Sequence, residues 1–240
     1  MYLSSPDRIE SIAWEGELVP PETMRTALRT RPRAVIGQPE FWPAAEALAN
    51  ESLAGPLAQT WTPPAGDADF WLLRLASTVS EPEGAQHLEK AELALYLRPK
   101  AAAMPDESTY AYSLYPERES VDRESEWAAK LTPELKFETA SQTKVEVPIG
   151  ELGATFVQRR AFPAITAYGA GTPAPYWELK SHASRPLAGV QYLWAVVAAR
   201  RGSSGVRTSV TLTVTLRKDW QVFRLGVPIE EQKHLSFVIA

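Results

Sequence analysis

The stretch "TSVTLTVTLRK", residues 208–218, is the most regular segment of the chain. Valine and leucine alternate in it with serine and threonine, so a strand built from it has one apolar face and one polar face. Runs with the same period recur from Asp69 to the C-terminus, and proline or glycine separates nearly all of them. This succession predicts a mainly β fold, an antiparallel β-sandwich or a curved barrel-like sheet of about eight to ten strands.

The strand candidates are distributed over most of the chain. The first three are "DFWLLRLASTVS", "KAELALYLRP" and "STYAYSLYP". The C-terminal half adds "KVEVPIG", "GATFVQRRAFPAITAYG", "PYWELKSH", "GVQYLWAVVAARRG", "VRTSVTLTVTLRK", "WQVFRLG" and "HLSFVIA". Helices do not alternate regularly with these strands, which argues against a doubly wound parallel sheet.

Helix-like sequence is concentrated near the N-terminus. "PPETMRTALRTR" and "PEFWPAAEALANESLAG" are interpreted as two short helices, because each combines an early proline with good helix formers. We therefore predict an N-terminal helical and proline-rich segment, residues 1–66, packed on a β-rich domain, residues 67–240. The stretch 117–130, "ERESVDRESEWAAK", predicts one short inserted helix, because its charges mix at i,i+3 and i,i+4 spacing.

A long hairpin, residues 189–217, is the clearest local unit. Its arms, 189–200 and 206–217, flank "RGSSG", whose glycines adopt positive φ at little steric cost. The first arm is apolar on both faces, which favours a central strand of a covered sheet. The second arm is apolar on one face only, so its threonine row is interpreted as the solvent side of a half-buried strand.

The sequence offers little for catalysis or cofactor binding. It contains no cysteine, which excludes disulfides, thiolate nucleophiles and cysteine-ligated metals. None of the three histidines stands at metal-ligand spacing from another, and no nucleophile elbow or P-loop occurs. "GAGTPA", residues 169–174, fits the letters of a dinucleotide fingerprint, but prolines follow where a helix is required, so it is interpreted as a turn. We predict no cofactor, no metal and no catalytic residue.

Charge is distributed unevenly along the chain. Residues 151–227 contain ten basic and three acidic residues, a net charge of +7, which leaves −11 for the rest of a chain whose total is −4. This basic region could bind an anionic partner, or it could face the acidic remainder within one fold. Its arginines are too few and too scattered to indicate nucleic acid. The candidate binding residues are Arg159, Arg160, Arg200, Arg201, Arg207, Tyr176 and Trp177.

Three hypotheses about function follow. The leading one is a non-enzymatic, cytoplasmic, bacterial binding or assembly module whose partner is a protein, since neither a secretory signal nor a transmembrane helix is evident. The first alternative is a membrane-acting or defence-type effector that uses the hairpin 189–217, because about nine to eleven residues with one apolar face can cross a bilayer. The second is a hydrolase or carbohydrate-binding protein built around Tyr176, Trp177 and Glu178, whose aromatic neighbours would raise the pKa of the carboxyl group.

Overall fold

The chain divides into two compact units. The computed structural model describes residues 9–20, 31–49, 64, 66–80, 86–129, 154–182, 187, 189–218 and 221–239. One unit, here called the body, consists of Met1–Glu119 and Pro163–Ala240. The other, called the second unit, is Ser120–Phe162. The predicted boundary at residue 66 stays a prediction.

Thirteen strands and one α-helix account for most of the described backbone. The strands are β1 (Ile12–Glu17), β2 (Arg33–Gly37), β3 (Glu40–Pro43), β4 (Ala68–Val79), β5 (Gln86–Pro99), β6 (Thr109–Tyr115), β7 (Arg118–Ala129), β8 (Ala154–Tyr168), β9 (Tyr176–Lys180), β10 (Gln191–Arg200), β11 (Val206–Lys218), β12 (Gln221–Gly226) and β13 (Ser236–Ile239). The helix is α1 (Ala44–Ala49), and single 3₁₀ turns lie at Asp106–Ser108 and Gln232–Leu235. The prediction of a mainly β protein is confirmed.

Two antiparallel sheets form the fold. The first sheet has the order β1-β2-β4-β10-β6, and β3 also pairs with β4. The second sheet has the order β12-β11-β5-β9-β8-β7, and β13 also pairs with β11. Inner-face side chains of both sheets share one core, for example Leu73 and Leu193 with Leu93 and Leu212. This arrangement confirms the predicted β-sandwich.

Strand β11 carries the alternating sequence on which the prediction depended. It runs between β5 and β12, and its valines and leucines fill the core. Thr211 is exposed on the opposite face, and Thr213 and Thr215 are half-buried there. The interpretation of the threonine row as the solvent side of this strand is confirmed.

The predicted hairpin 189–217 is wrong, because its two arms belong to different sheets. β10 pairs with β4 and β6, whereas β11 pairs with β5, β12 and β13. The connection "RGSSG" crosses from one sheet to the other, with positive φ at Gly202, Ser204 and Gly205. The physical reason is that β10, apolar on both faces, needs a covered position between two other strands. Sequence spacing alone does not show which strand occupies that position.

The N-terminal segment differs from the predicted helical one. Strands β1, β2 and β3 lie within residues 1–66, and α1 occupies part of the second predicted helix. The first predicted helix falls largely outside the described residues, as do the strand candidate "KVEVPIG" and the residues between α1 and Pro64. The three strands were missed because they are short, with four to six residues each, and proline composition was weighed above their period.

The predicted inserted helix at 117–130 is also wrong, because Arg118–Ala129 is strand β7. Mixed charges at helical spacing support a helix only weakly, by a few tenths of a kcal/mol per pair. The segment has no apolar stripe that a helix could bury, and Val121 and Trp127 are too far apart to make one. Backbone pairing with β8 therefore decides its conformation.

Candidate functional site

Three of the five predicted binding arginines lie in the body. Arg200 and Arg201 are exposed at the end of β10, and Arg201 Nε lies 3.7 Å from Asp69 Oδ1. Arg207 is exposed near the start of β11, where it lines a groove. Of these three arginines, Arg207 is the one that lines this groove.

The two predicted aromatic residues have opposite environments. Tyr176 is half-buried and stacks on Tyr168, with ring centroids 4.9 Å apart and planes 20° apart. Trp177 is fully buried in the core, and its indole Nε1 has no hydrogen-bond partner among the described residues. Only Tyr176 therefore exposes part of its ring, and the role of both residues in binding stays a prediction.

Glu178 is held as a carboxylate by two lysines. Lys90 Nζ donates a hydrogen bond of 2.7 Å to Glu178 Oε2, and Lys180 Nζ lies 3.1 Å from Oε1. The hydrogen bond from Lys90 lowers the pKa of Glu178, against an opposing effect of burial, and the same bond raises the pKa of Lys90. We expected a raised pKa here, which a general acid requires. The observed cluster instead forms a cross-strand ion pair, so the geometry does not favour a hydrolase at Glu178.

A groove of about 580 Å³ lies on the outer face of the second sheet, across β5, β11 and β13. Arg98 and Arg207 are directly opposite each other on β5 and β11, and Tyr96 is opposite Ser209 in the neighbouring position. Ser209 Oγ lies 3.2 Å from Ser236 Oγ. The groove is lined by Tyr96, Arg98, Arg207, Thr208, Ser209, Ser236, Phe237 and Val238. Arg207 is the one of these residues that we singled out from the sequence.

A second arginine is surrounded by aromatic rings on the outer face of the first sheet. The Arg74 guanidinium lies 5.5 Å from the ring centroid of Trp42, 5.6 Å from that of Tyr192 and 5.4 Å from that of Trp194. It also forms an ion pair with Glu40 on the neighbouring strand β3. Burial raises the pKa of Tyr192, and the positive charge of Arg74 opposes that effect.

Sequence reasoning missed this cluster, although a clue to it was present. Arg74 is the single charged residue in "FWLLRLASTV", and a charge in an otherwise apolar strand requires a partner. The partners come from β3 and β10, which are distant in sequence. Because Glu40 and three rings already surround the guanidinium, the cluster stabilises the sheet and offers no open ligand site.

The remaining two predicted arginines, Arg159 and Arg160, lie on β8 in the second unit. β8 and β7 are neighbours at one edge of the second sheet, and they contain 15 and 12 residues. β7 begins in the body and continues in the second unit, and β8 begins in the second unit and continues in the body. Both strands are longer than a typical strand of about five or six residues.

The described residues contain neither a membrane-spanning helix nor a cluster of metal ligands. No helix in this part of the chain is long and apolar enough to cross a membrane. Within the same residues, no three histidine, aspartate or glutamate side chains come together in a way that could hold a metal ion.

No model of a protein family matches the chain, and no curated protein matches it either. Solved structures match at low similarity. The Clostridium perfringens NetB toxin, in a crystal structure of its membrane-inserted form, is 7% identical with a TM-score of 0.31, and the match covers 95% of this chain and 91% of that one. A structure described as a pore-forming protein is 7% identical with a TM-score of 0.38, covering 94% and 100%. The Clostridium perfringens delta-toxin is 8% identical with a TM-score of 0.32, covering 93% and 96%.

These matches correct two predictions. We predicted a non-enzymatic cytoplasmic binding or assembly module, whereas the three proteins are described as two toxins and a pore-forming protein. These descriptions contradict the predicted function and the predicted cytoplasmic location. The sequence did not separate the two hypotheses, because a membrane-crossing strand has the same two-residue period as an ordinary half-buried strand. The predicted protein partner is untested.

Proposed function

We propose that this protein acts on membranes by inserting strands that continue from β7 and β8, and that several copies assemble to do so. The observation that carries the proposal is the path of the chain through the second unit. β7 leads into it and β8 leads out of it, and these two long strands are neighbours at the edge of the second sheet. This placement replaces the hairpin 189–217, whose strands are committed to the core of the body.

The residues that connect β7 to β8 have the length that two membrane crossings require, and they contain two short alternating stretches. There are 24 of them, residues 130–153, and they lie outside the part of the chain that the structure describes. Two crossings of about ten residues each and a short turn need about this length. Their sequence alternates apolar with charged residues, first in "LKFE", residues 135–138, and again in "KVEV", residues 144–147. Such alternation places one face towards lipid and the other towards water.

β7 itself is too polar to lie in hydrocarbon. Its sequence, "RESVDRESEWAA", has twelve residues, of which six are charged and two are serines. A charged side chain in the middle of the bilayer costs about 2 to 4 kcal/mol when it faces lipid. In the proposal β7 and the paired part of β8 therefore remain at the membrane surface, and the connecting residues cross.

Assembly follows from backbone hydrogen bonding. Two strands in a bilayer leave two open edges, and each unpaired backbone group there costs several kcal/mol because no water replaces the missing partner. One copy of the chain cannot close its own edges with a single pair of strands. Copies placed side by side pair each edge with the next one, so membrane insertion by this route requires an oligomer.

The body supplies a core that is independent of this rearrangement. Strands β4 and β10 of the first sheet pack against β5 and β11 of the second, and all four lie in the body. The two sheets therefore hold together through side chains that the proposed insertion does not involve. We expect the body to remain folded when the residues between β7 and β8 move from water into the bilayer.

Release of a trapped dye from phospholipid vesicles tests the proposal. We expect the wild-type protein to release dye and Val145→Asp with Val147→Asp to release little or none, because two carboxylates would face lipid. The matched control is Glu146→Gln, which lies between these positions in the sequence and would face water, and it should release dye as the wild type does. Equal melting temperatures of the three proteins would show that the body is intact. A wild type that releases nothing, or a double variant as active as the wild type, contradicts the proposal.

A further inference from the structure

The groove over β5, β11 and β13 contains an arrangement of charges that is unfavourable without a ligand. Arg98 and Arg207 are directly opposite on neighbouring antiparallel strands, and both side chains lie on the outer face of the sheet. Side chains in such a pair have Cβ atoms about 5 Å apart, and like charges there destabilise the sheet. An anion between the two guanidinium groups would convert this repulsion into attraction.

Among the described residues, neutralisation of the positive charge is weak at Arg98 and absent at Arg207. Arg98 Nε lies 3.6 Å from Asp106 Oδ2, but both side chains are more than half exposed, so this contact contributes little. Arg98 also lies over the Tyr96 ring, 5.7 Å from its centroid. Over the described ranges of the chain, Arg207 has no ion pair. The other exposed arginine of β11, Arg217, differs in this respect, because its Nη2 lies 2.8 Å from Glu89 Oε1.

Hydroxyl groups lie beside the two arginines. Ser209 follows Arg207 at the next outward position of β11, and its Oγ lies 3.2 Å from that of Ser236 on β13. Tyr96, 53% exposed, is opposite Ser209 on β5. Positions two apart on one strand are separated by about 6.6 Å, so these hydroxyl groups and both guanidinium groups border the same part of the groove.

We propose that this groove binds a phosphate group, through Arg98 and Arg207 with the hydroxyls of Ser209, Ser236 and Tyr96. The number of donors favours phosphate over carboxylate. One guanidinium fork satisfies both oxygens of a carboxylate, whereas two forks and adjacent hydroxyl groups match the three or four oxygens of a phosphate. A groove of about 580 Å³ also has room for a group attached to the phosphate. This inference does not depend on the proposed membrane insertion.

Thermal unfolding in inorganic phosphate, against sodium chloride of equal ionic strength, tests the site. We expect phosphate to raise the melting temperature of the wild type, and Arg207→Gln and Arg98→Gln to weaken the apparent affinity by about tenfold or more. The matched control is Arg217→Gln, on the same strand but paired with Glu89, which should respond to phosphate as the wild type does. Without phosphate, Arg207→Gln should melt no lower than the wild type, because it removes one of two repelling charges. The site is overturned if phosphate has no effect on the wild type, or if all four proteins respond equally.

Vesicles identify the source of the phosphate group. Flotation with phosphatidylglycerol vesicles is compared with flotation with digalactosyl diacylglycerol vesicles, which contain no phosphate. If Arg207→Gln reduces binding to the first kind only, the ligand is a lipid headgroup. If it binds both kinds as the wild type does, while the response to inorganic phosphate is lost, the ligand is a soluble phosphate compound. A wild type that releases no dye would contradict membrane insertion and leave the phosphate response of the groove unaffected.

Discussion

Lys90 on β5 donates a hydrogen bond of 2.7 Å to Glu178 on the neighbouring strand β9. Glu178 is also 3.1 Å from Lys180, so a single carboxylate joins two lysines on the outer face of the second sheet. The side chain of Glu178 is only 16% exposed, which limits the screening of both contacts by water. The pair therefore contributes to stability as a charged unit, and its contribution must depend on pH.

We expect Glu178→Gln to lower the free energy of unfolding at neutral pH by about 1 kcal/mol, and the difference from the wild type to vanish in acid. The pKa of Glu178 is lowered in the folded protein from 4.5, so its stabilisation is present above that pH and is lost as pH falls through the lowered pKa. The pKa of Lys90 is raised from 10.5, so its stabilisation is present below that pH and is lost at higher pH. Urea unfolding from acidic to strongly basic pH measures both limits.

The control for the pH dependence is Glu89→Gln. Glu89 pairs with Arg217 at 2.8 Å on the same sheet, but its side chain is 42% exposed. We expect this substitution to change stability by less than about 0.5 kcal/mol at every pH. If Glu89→Gln destabilised the protein as much as Glu178→Gln does, the exposed fraction of the glutamate side chain would not explain the difference between the two ion pairs.

The cluster around Arg74 predicts a larger effect of a single substitution. Arg74→Met should destabilise the protein by about 2 kcal/mol, because it removes a cation from three rings and leaves Glu40 partly buried without its ion pair. Arg74→Lys should recover only part of this loss, since an ammonium group does not stack on rings as a guanidinium does. Arg33→Met, which breaks an exposed contact of 3.5 Å with Glu15, is the control and should be nearly neutral. A neutral Arg74→Met would contradict this account of the cluster.

Neighbouring residues of β9 should respond very differently to truncation. Trp177→Ala is expected to destabilise by about 4 kcal/mol, because the indole is fully buried in the core. Tyr176→Ala should cost less than about 2 kcal/mol, because its ring is half-buried and its main described ring contact is Tyr168. Thermal or urea unfolding measures both. Equal losses would contradict the alternation of inner and outer faces along this strand.

The sequence predicted the strands better than it predicted their partners. The period of two located nine of the strands, from β4 to β13 with the exception of β7, because each alternates or is short and apolar. It did not show that β10 and β11 lie in different sheets, since hydrogen bonding between strands depends on contacts that are distant in sequence. β7 was missed for a related reason, because its charges fit a helix surface as well as they fit a strand.

The candidate sites were predictable only in part. The sequence shows that Arg207 lies in an alternating strand. It does not show that Arg98 lies opposite, because that depends on the register between β5 and β11. Likewise, the aromatic environment of Glu178 suggested a raised pKa, whereas Lys90, which is 88 positions away, lowers it. In both places the missing information was the charge on the neighbouring strand.

The fluorescence of single-cysteine variants in the presence of vesicles tests membrane insertion most directly. The chain has no cysteine, so an environment-sensitive dye can be attached at one chosen position without a competing thiol. Dyes at positions 144, 145, 146 and 147 would be compared with and without phospholipid vesicles. The account predicts a shift to shorter wavelength at Val145 and Val147, and no shift at Lys144 and Glu146. A shift at none of the four positions, or an equal shift at all of them, would contradict insertion as a membrane-crossing strand.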